Sequence, residues 1–391
     1  MIFVTIVMDG VGIGWQPDAE QYGDQGADTL GHVLATCRPS LPNLTAAGLG
    51  SIRDLTGAPP ASFPVASWGR MQERSAGKDS TTGHWELAGL MLDAPFPVYP
   101  DGFPEDVIAA FCRLAGVDDV LGNRPESGTV IIDEFGEAHQ ASGHPIVYTS
   151  ADSVFQIAAH VDTIPLEELY RLCDIARNQV CIGQHGVGRV IARPFEGTPG
   201  AWSRISSKRR DFSRLPERPP LQAILQERGV ATISVGKVAD LFGGVGFDRT
   251  TKTNGNADGI EATLKEMQTA NGPTFVWTNL IDFDQEFGHR NNPEGFAAAL
   301  EELDAALPRL LDALPEDGRL LLTADHGNDP TYPGTDHTRE YVPLLYYGGP
   351  PAADLGTRSS FVDHAATVAA YFGADASFGG VPFESFSGQN T

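Results

Sequence analysis

The stretch IFVTIVMDG (residues 2–10) is a nearly continuous apolar run that ends at an aspartate and a glycine. Runs of this kind favour strands that are covered on both faces, as in a parallel sheet. Helical patterns alternate with them, and in 294–314 apolar residues recur every three or four positions. This alternation predicts an α/β fold with a doubly wound core. The predicted strands are 2–8 (IFVTIVM), 231–235 (ATISV), 274–281 (TFVWTNLI), 319–323 (RLLLT) and 342–347 (VPLLYY).

Six residues of metal-binding type lie after these strands. In doubly wound sheets ligands bind outside the carboxyl ends of the strands, so the fold itself gathers such residues at one edge. Taken singly, an aspartate after a strand is more often a helix cap, and a lone histidine is more often a hydrogen-bonded loop residue. Taken together, three carboxylates and three imidazoles predict a pocket for two divalent cations. The six residues are Asp9, Asp284, His289, Asp325, His326 and His337.

Three adjacent hydroxyls, at Ser80, Thr81 and Thr82, stand in the segment GKDSTTGHWE (77–86) before a predicted helix. They are both a helix N-cap signal and candidate nucleophiles, and the two interpretations are compatible. We expect unsatisfied backbone amides at the helix start to stabilise a phosphoryl group held there. A hydroxyl beside two metal ions predicts phosphoryl transfer. His84, in the same segment, either contacts the substrate or supports the loop.

The overall charge excludes two classes of partner. The 391 residues carry 51 acidic and 27 basic side chains, a formal net charge of −24. Such a chain repels nucleic acid and anionic membranes, so neither is an expected partner. No apolar run of about 18 residues predicts a membrane span, and the first eight residues predict a buried strand instead of a signal peptide. Four cysteines without CxxC pairing predict a reduced, cytoplasmic environment.

The middle of the chain differs from its two ends. The segment 93–214 is rich in proline and glycine, and it contains none of the six metal-type residues. Its basic residues concentrate between positions 189 and 210. We interpret this part as an insertion. The predicted organisation is a metal-binding catalytic core of residues 1–93 and 215–391, with an inserted α/β cap domain of residues 94–214 that binds the substrate.

Long segments of the chain match a known family. They are MDGVGIGWQPDA (8–19), GADTLGH (26–32), GKDSTTGHWELAG (77–89), VYTSADSVFQIAAH (147–160), GRVIARPFEG (188–197), TNLIDFDQEFGHR (278–290), TADHGNDP (323–330) and GTDHTREYVPLL (334–345). On these segments the chain resembles the prokaryotic-type phosphopentomutases of the alkaline phosphatase superfamily, nearly from end to end. The resemblance implies an alkaline-phosphatase-like core with an inserted cap, two Mn²⁺ ions and a phosphorylated hydroxyl.

The resemblance also divides the ligands between the two metals, which spacing alone does not do. It implies that Asp284, His289 and His337 hold one metal. Asp9, Asp325, His326 and the nucleophile would hold the other.

The nucleophile position departs from the family pattern. The family motif reads GKDT, whereas this chain has GKDS, so the matching hydroxyl is that of Ser80. Serine can perform the same chemistry as threonine. We predict Ser80 as the nucleophile, with the neighbouring Thr81 as the alternative.

For the substrate, the resemblance points to the inserted domain. Arginine side chains there can hold a phosphate through two parallel hydrogen bonds, and a carboxylate can accept from sugar hydroxyls. A solvated basic face is the alternative interpretation of the arginines. Lys237 and Lys78 are weaker candidates. The implied substrate-binding residues are Ser150, Asp152, Val154, Arg189, Ile191 and Arg204.

The implied activity is interconversion of (2-deoxy)ribose 1-phosphate and 5-phosphate through a phosphoenzyme and a 1,5-bisphosphate, with a sugar bisphosphate as activator. Two related activities stay open as alternatives: a metal-dependent phosphatase or phosphodiesterase, and another phosphosugar mutase of the superfamily, such as the cofactor-independent phosphoglycerate type. A non-catalytic protein that binds metal or sugar phosphate is the alternative from a different class.

Overall fold

The computed structural model describes residues 1–150, 153–374 and 378–386, and it divides the chain into two units. The larger unit comprises Met1–Pro95 and Pro216–Thr391, and the smaller unit comprises Phe96–Leu215. The insertion predicted from sequence was 94–214. The functions assigned to the two units, catalytic core and substrate cap, stay predictions.

The strands are numbered in chain order through both units. They are β1 (Ile2–Met8), β2 (Ser67–Met71), β3 (Leu121–Pro125), β4 (Ile146–Thr149), β5 (Val154–His160), β6 (Arg189–Thr198), β7 (Ala201–Arg204), β8 (Arg210–Ser213), β9 (Ala231–Val235), β10 (Arg249–Thr251), β11 (Thr274–Leu280), β12 (Arg319–Thr323), β13 (Val342–Tyr347) and β14 (Asp354–Arg358).

The α-helices are numbered in the same way. They are α1 (Thr29–Cys37), α2 (Pro42–Ala47), α3 (Leu49–Ile52), α4 (Ser80–Leu87), α5 (Glu105–Ala115), α6 (Gly128–Ser142), α7 (Leu166–Ile175), α8 (Leu221–Glu227), α9 (Val238–Leu241), α10 (Asn256–Thr269), α11 (Pro293–Asp312) and α12 (Val362–Tyr371). No helix in the described ranges is both long enough and apolar enough to cross a membrane.

The larger unit is built on a sheet with the strand order β10-β9-β11-β1-β12-β13-β2-β14 in its described residues. Strands β10, β9, β11, β1 and β12 are mutually parallel. Every residue of β1 and β11 is buried, as their continuous apolar sequences predicted. The parallel arrangement aligns the carboxyl ends of β9, β11, β1 and β12 along one edge.

The apolar run 342–347 was expected to suit a parallel sheet, but the strand it forms, β13, runs antiparallel to β12. Strands that run parallel need a crossover connection, usually a helix. The connection 324–341, which the structure describes in full, contains no helix. The chain therefore turns back, and this connection is left free to carry ligands at the sheet edge.

The smaller unit has a mixed sheet of its own, in the order β3-β4-β5-β6-β7, with β8 also paired to β6. One face carries a large apolar cluster around Phe111, Phe155 and Leu172. The other face carries a smaller cluster that includes Tyr148 and Phe195. Helix α6 supplies Ile131 and Ile132 to this second cluster.

A buried histidine connects the sheet of the larger unit to its helices. His364, in α12, is completely buried, and its Nδ1 donates to the carbonyl oxygen of Leu87 at 2.7 Å. Because a carbonyl only accepts, Nδ1 carries the hydrogen and Nε2 accepts from Thr5 Oγ1 at 2.8 Å. Burial lowers the pKa of His364 to about 4, from an ordinary value of 6.5. The ring is therefore neutral in the folded protein.

This histidine predicts acid sensitivity. The histidine takes up a proton at a higher pH in the unfolded chain than in the folded chain. The contribution of neutral His364 to folding stability is therefore fully present above its ordinary pKa of 6.5 and is lost as the pH falls toward 4. We expect the stability advantage of the wild type over His364→Gln to shrink by about 2 kcal/mol from about pH 7 to about pH 5. Urea unfolding of both proteins at each pH measures it. A difference that stays constant with pH would contradict the prediction.

Candidate metal centre and nucleophile

The predicted metal residues meet where the parallel strands end. Asp9 directly follows β1, which lies between β11 and β12. Asp284 follows β11 in a helical turn (Phe283–Gly288), and Asp325 and His326 follow β12. The remaining predicted ligands, His289 and His337, are carried by the loops that continue from β11 and β12. Sheet topology alone thus brings together residues about 300 positions apart in sequence.

One group of ligand atoms is formed by Asp9, Asp325 and His326, all completely buried. Their ligand atoms lie within 4.8 Å of one another. His326 Nε2 is 3.3 Å from Asp9 Oδ1 and 3.5 Å from Asp325 Oδ2. The spacing suits one cation bound by two carboxylates and an imidazole.

A second group is formed by Asp284, His326 and His337, again within 4.8 Å. His337 Nε2 is 3.2 Å from Asp284 Oδ1. His289 adjoins this group, since its Nε2 is 3.3 Å from Asp284 Oδ2 and 3.1 Å from His337 Nε2. All six predicted ligands therefore lie in one place, with His326 in both groups.

The orientation of the histidine rings fits metal binding. The Nδ1 of His289 donates to the carbonyl oxygen of Thr335 at 2.6 Å, and that of His326 donates to Gly327 O at 3.0 Å. With a hydrogen on Nδ1, each ring turns its Nε2 toward the carboxylates, where a bound cation would take the lone pair of that nitrogen. Metal-binding histidines are usually oriented by a hydrogen bond of this kind.

The electrostatics of the cluster favour added positive charge. Burial alone would lower the pKa of His326, but the surrounding carboxylates, first that of Asp325, raise it to about 10. Burial would likewise lower the pKa of Lys237, and Asp9, Asp284 and Asp325 together raise it. Divalent cations would satisfy the same negative field. The donor set and its charge thus fit the pair of metals predicted from sequence.

Ser80 is the hydroxyl that meets this cluster. It is the first residue of α4, and its Oγ lies 3.2 Å from His326 Nε2 and 3.5 Å from Asp9 Oδ1. The hydroxyl of Thr82 instead donates to Asp79 Oδ2 at 2.6 Å. In the described structure no hydrogen bond joins the hydroxyl of Thr81 to the metal-type residues. The geometry therefore favours Ser80 among the three predicted hydroxyls.

Backbone amides at the start of α4 were expected to be free to stabilise a phosphoryl group. For two of them this expectation was wrong. Asp79 is the N-cap residue, and its Oδ1 accepts from the amides of Thr81 and Thr82 at 2.9 and 3.1 Å. Those donors are already satisfied, because a side-chain cap takes up the first free amides of a helix. A phosphoryl group on Ser80 would need another donor.

The chain has close relatives among proteins of known activity. Residues 1–376 match the Metalloenzyme superfamily. The phosphopentomutase of Caldanaerobacter subterraneus subsp. tengcongensis is 50% identical over 371 residues, which cover 94% of this chain and 93% of that protein. The phosphopentomutase of Alkaliphilus metalliredigens is 48% identical over 386 residues, 98% of each chain. The chain belongs to the phosphopentomutase family. The predicted family and its alkaline-phosphatase-like α/β fold class are thereby confirmed.

Lys237 is a residue near Ser80 whose position the sequence interpretation missed. It stands two positions after β9, and its Nζ lies 2.5 Å from Asp9 Oδ2 and donates to Ser80 Oγ at 3.0 Å. Sequence reasoning considered it only as a weak substrate contact. The sequence did contain a signal for its position: Lys237 follows a predicted strand, β9, that ends at the same sheet edge as the strands that carry the metal-type residues.

His84 contacts the backbone of the segment that carries Ser80, which fits the supporting role that was one of the two considered for it. It is completely buried and stacked on Trp277, with ring centroids 5.8 Å apart. Its Nδ1 lies 2.9 Å from Ser80 O and 3.0 Å from Asp325 Oδ2. This ring therefore links the backbone of Ser80 to a metal-type carboxylate.

Arg339 fixes the segment that precedes Ser80. Its side chain is 2% exposed. Its Nη1 donates to Glu73 Oε2 at 2.8 Å, to Ser75 O at 2.9 Å and to Gly77 O at 2.6 Å. Its other nitrogens donate to Asp18. One guanidinium thus holds the backbone of 73–77 beside the loop that carries His337.

We expect Arg339→Lys to lower both stability and turnover. A lysine has one nitrogen in place of the guanidinium's three, so it cannot bond Asp18, Glu73 and the buried carbonyl groups at the same time, and some of them would lose their partner. The expected loss in unfolding free energy is about 3 kcal/mol or more. Urea unfolding and a turnover assay measure the two effects. Arg309→Lys, at an exposed arginine paired with Glu261, is the matched control and should change stability by less than about 0.5 kcal/mol.

The predicted substrate residues lie in the smaller unit. Val154 begins β5 and pairs in register with Arg189, the first residue of β6. Arg189 Nη1 is 3.5 Å from Asp211 Oδ2.

Arg204 ends β7 and pairs with Phe195, toward the other end of β6. Ser150 follows β4, Ile191 is buried within β6, and Asp152 lies outside the described residues. Their binding role stays a prediction.

Proposed function

We propose that this chain is a phosphopentomutase that interconverts (2-deoxy)ribose 1-phosphate and (2-deoxy)ribose 5-phosphate in the cytoplasm. The observation that carries the proposal is the contact of Ser80 Oγ with His326, Asp9 and Lys237 at the end of the central strands. The family relationship supports the reaction, since relatives about 50% identical over nearly the whole chain are phosphopentomutases.

In the proposed cycle Ser80 carries a phosphoryl group. Its bond between phosphorus and Oγ breaks as a new bond forms to a sugar hydroxyl, which gives a 1,5-bisphosphate and the free serine. The other phosphate of the bisphosphate is then transferred to Ser80 Oγ, and the isomeric monophosphate leaves. A sugar bisphosphate would prime the unphosphorylated enzyme in the same way.

The described residues supply the groups that this cycle needs. Lys237 is held charged by the carboxylates, so its ammonium group can stabilise negative charge on Ser80 Oγ. Because Asp79 occupies the amides of Thr81 and Thr82, Lys237, which donates to Ser80 Oγ, would serve as a donor to the transferred phosphoryl group. His84 and Arg339 hold the serine in place through the backbone.

Two Mn²⁺ ions would fit the six ligands: Asp284, His289 and His337 on one side, and Asp9, Asp325 and His326 on the other. When bound they would lower the pKa of the serine hydroxyl and neutralise the phosphoryl oxygens. The smaller unit would act as the substrate cap, with Ser150, Asp152, Val154, Arg189, Ile191 and Arg204 as contacts.

A substrate comparison tests the proposal. The purified chain with Mn²⁺ and a trace of ribose 1,5-bisphosphate is given ribose 1-phosphate, ribose 5-phosphate or 3-phosphoglycerate, and products are followed by ³¹P NMR. We expect the two ribose phosphates to interconvert without release of inorganic phosphate. Faster release of inorganic phosphate would support a phosphatase instead, and turnover of phosphoglycerate would support another mutase. Absence of any turnover would support a binding protein.

A further inference from the structure

A pocket in the larger unit contains none of the six metal-type residues. It has a volume of about 290 Å³, close to the lower end of the range for small-ligand sites, about 300 to 1,000 Å³. Its charged residues are Asp28, Arg53 and Arg70, and Trp15 and His32 also line it. Arg70 is next to the last residue of β2, which runs antiparallel to β13 and therefore in the direction of β12. The pocket thus lies at the sheet edge where ligands bind in this class of fold.

This pocket carries an excess of positive charge. Two arginines, Arg53 and Arg70, line it together with one carboxylate, that of Asp28. Asp28 Oδ2 pairs with Arg53 Nη2 at 2.8 Å. Among the residues that the structure describes, no carboxylate pairs with Arg70. In a chain with a net charge of −24, such a local excess favours an anionic ligand.

Both guanidinium groups are held in place by the protein. Arg70 is stacked on the ring of Tyr341, with Cζ 4.0 Å from the ring centroid, and its Nε donates to Thr357 Oγ1 at 3.0 Å. Its two Nη groups make no hydrogen bond within the described part of the chain. Arg53 lies so close to Gly14 that a Cβ there would collide with Nη1. Donors that are already ordered bind an anion at a smaller entropic cost.

A histidine lies in the same pocket with a fixed orientation. His32 Nδ1 is 2.6 Å from Oδ2 of Asp329, whose side chain is completely buried. Because an ionised carboxylate only accepts, Nδ1 carries a hydrogen. Nε2 makes no hydrogen bond over the described ranges. This nitrogen can therefore accept from a ligand hydroxyl or, in the protonated ring, donate to a phosphate oxygen.

Trp15 gives the pocket an aromatic wall. Its backbone forms a bridge with Glu340, and the residue is 44% exposed. A planar ring can stack on an indole that is open to solvent in this way, whatever the exact identity of the ring. A ligand that carries both a phosphate and an aromatic ring therefore gains a contact that inorganic phosphate does not.

We infer that this pocket is a second ligand site, which binds a phosphate monoester with a planar ring, of the nucleoside monophosphate class. Arg53 and Arg70 hold the phosphate, because guanidinium groups match the geometry of phosphate oxygens. Trp15 stacks on the base, and His32 bonds the sugar or the phosphate. No step of the proposed mutase cycle uses these residues, so the inference stands or falls independently of that function.

Titration calorimetry with AMP tests this site, with adenosine and inorganic phosphate as comparison ligands. We expect AMP to bind with a Kd below about 1 mM, and both comparison ligands to bind at least about tenfold more weakly. Hydrogen bonds to charged groups predict that Arg53→Gln and Arg70→Gln each raise the Kd of AMP by about tenfold or more. Trp15→Ala should raise it by about fivefold or more. Arg171→Gln, at an exposed arginine paired with Glu168, is the control and should leave it unchanged.

A second comparison separates the pocket from the metal-type cluster. Asp284→Asn should bind AMP as the wild type does, and loss of AMP binding in this variant would place the nucleotide at the metal-type cluster and overturn the inference. Wild-type affinity in both arginine variants, or no AMP binding up to about 10 mM, would overturn it as well. A lower melting temperature of Arg70→Gln with an unchanged Kd would show that this arginine is structural, which also contradicts the inference.

Discussion

Replacing Ser80 with alanine is expected to lower mutase turnover by about a thousandfold or more, to near the limit of detection. Ser80 is the hydroxyl that contacts both His326 and Lys237, and removing a nucleophile eliminates the covalent route altogether. A coupled assay on ribose 1-phosphate with Mn²⁺ measures the loss. The variant should also take up no label from a sugar bisphosphate labelled in its phosphates.

The neighbouring hydroxyls supply the controls. Thr81→Ala should keep activity within a few-fold of wild type, since in the described structure its hydroxyl makes no bond to the cluster. Ser80→Thr should retain substantial turnover, because threonine places a hydroxyl at the same position. Phosphopeptide mapping identifies the modified residue directly. A phosphate on Thr81, or full activity of Ser80→Ala, would move the nucleophile away from Ser80.

Removal of divalent metal is expected to have the second large effect. Three carboxylates, from Asp9, Asp284 and Asp325, meet in a buried cluster whose nearest fixed cation is Lys237. Without metal their repulsion is relieved only by Lys237 and by protons on the neighbouring histidines, so both catalysis and stability should suffer. We expect chelation to lower turnover by at least about a hundredfold and to lower the melting temperature by several degrees. Dialysis against a chelator, followed by return of Mn²⁺, measures both effects.

A carboxylate substitution completes this test. Asp284→Asn should weaken metal binding and reproduce the loss of turnover at moderate Mn²⁺ concentration. Glu286→Gln, in the same helical turn but outside the cluster, should behave as wild type. If turnover survives exhaustive chelation, the ligand cluster does not hold an essential metal.

Strand positions and the metal-type residues were predictable for one physical reason. A buried parallel strand needs a continuous apolar run, and the residue after it lies at the sheet edge where ligands bind. Asp9 after β1 and Asp325 after β12 follow this rule directly. His337 does not directly follow a strand. It was recognised because it lies eleven residues after the Asp325–His326 pair in the same connection. The rule also applied to Lys237 after β9, which was undervalued because one lysine in isolation has no distinctive pattern.

Other features depend on contacts that no local pattern encodes. The antiparallel direction of β13 follows from a connection without a helix, which its apolar sequence does not reveal. Arg339 satisfies carbonyl groups more than 260 positions away in sequence. Networks of this kind require the three-dimensional structure.

The hold of Arg339 on the carbonyl groups of Ser75 and Gly77 has a consequence for engineering. One residue inserted between Gly77 and Asp79 would displace Ser80 by about 3 Å along the chain, because the upstream end is anchored and cannot absorb the extra length. Insertions or deletions are therefore better placed in the largely exposed stretch 59–65, upstream of β2, than in the short segment between Gly77 and Ser80.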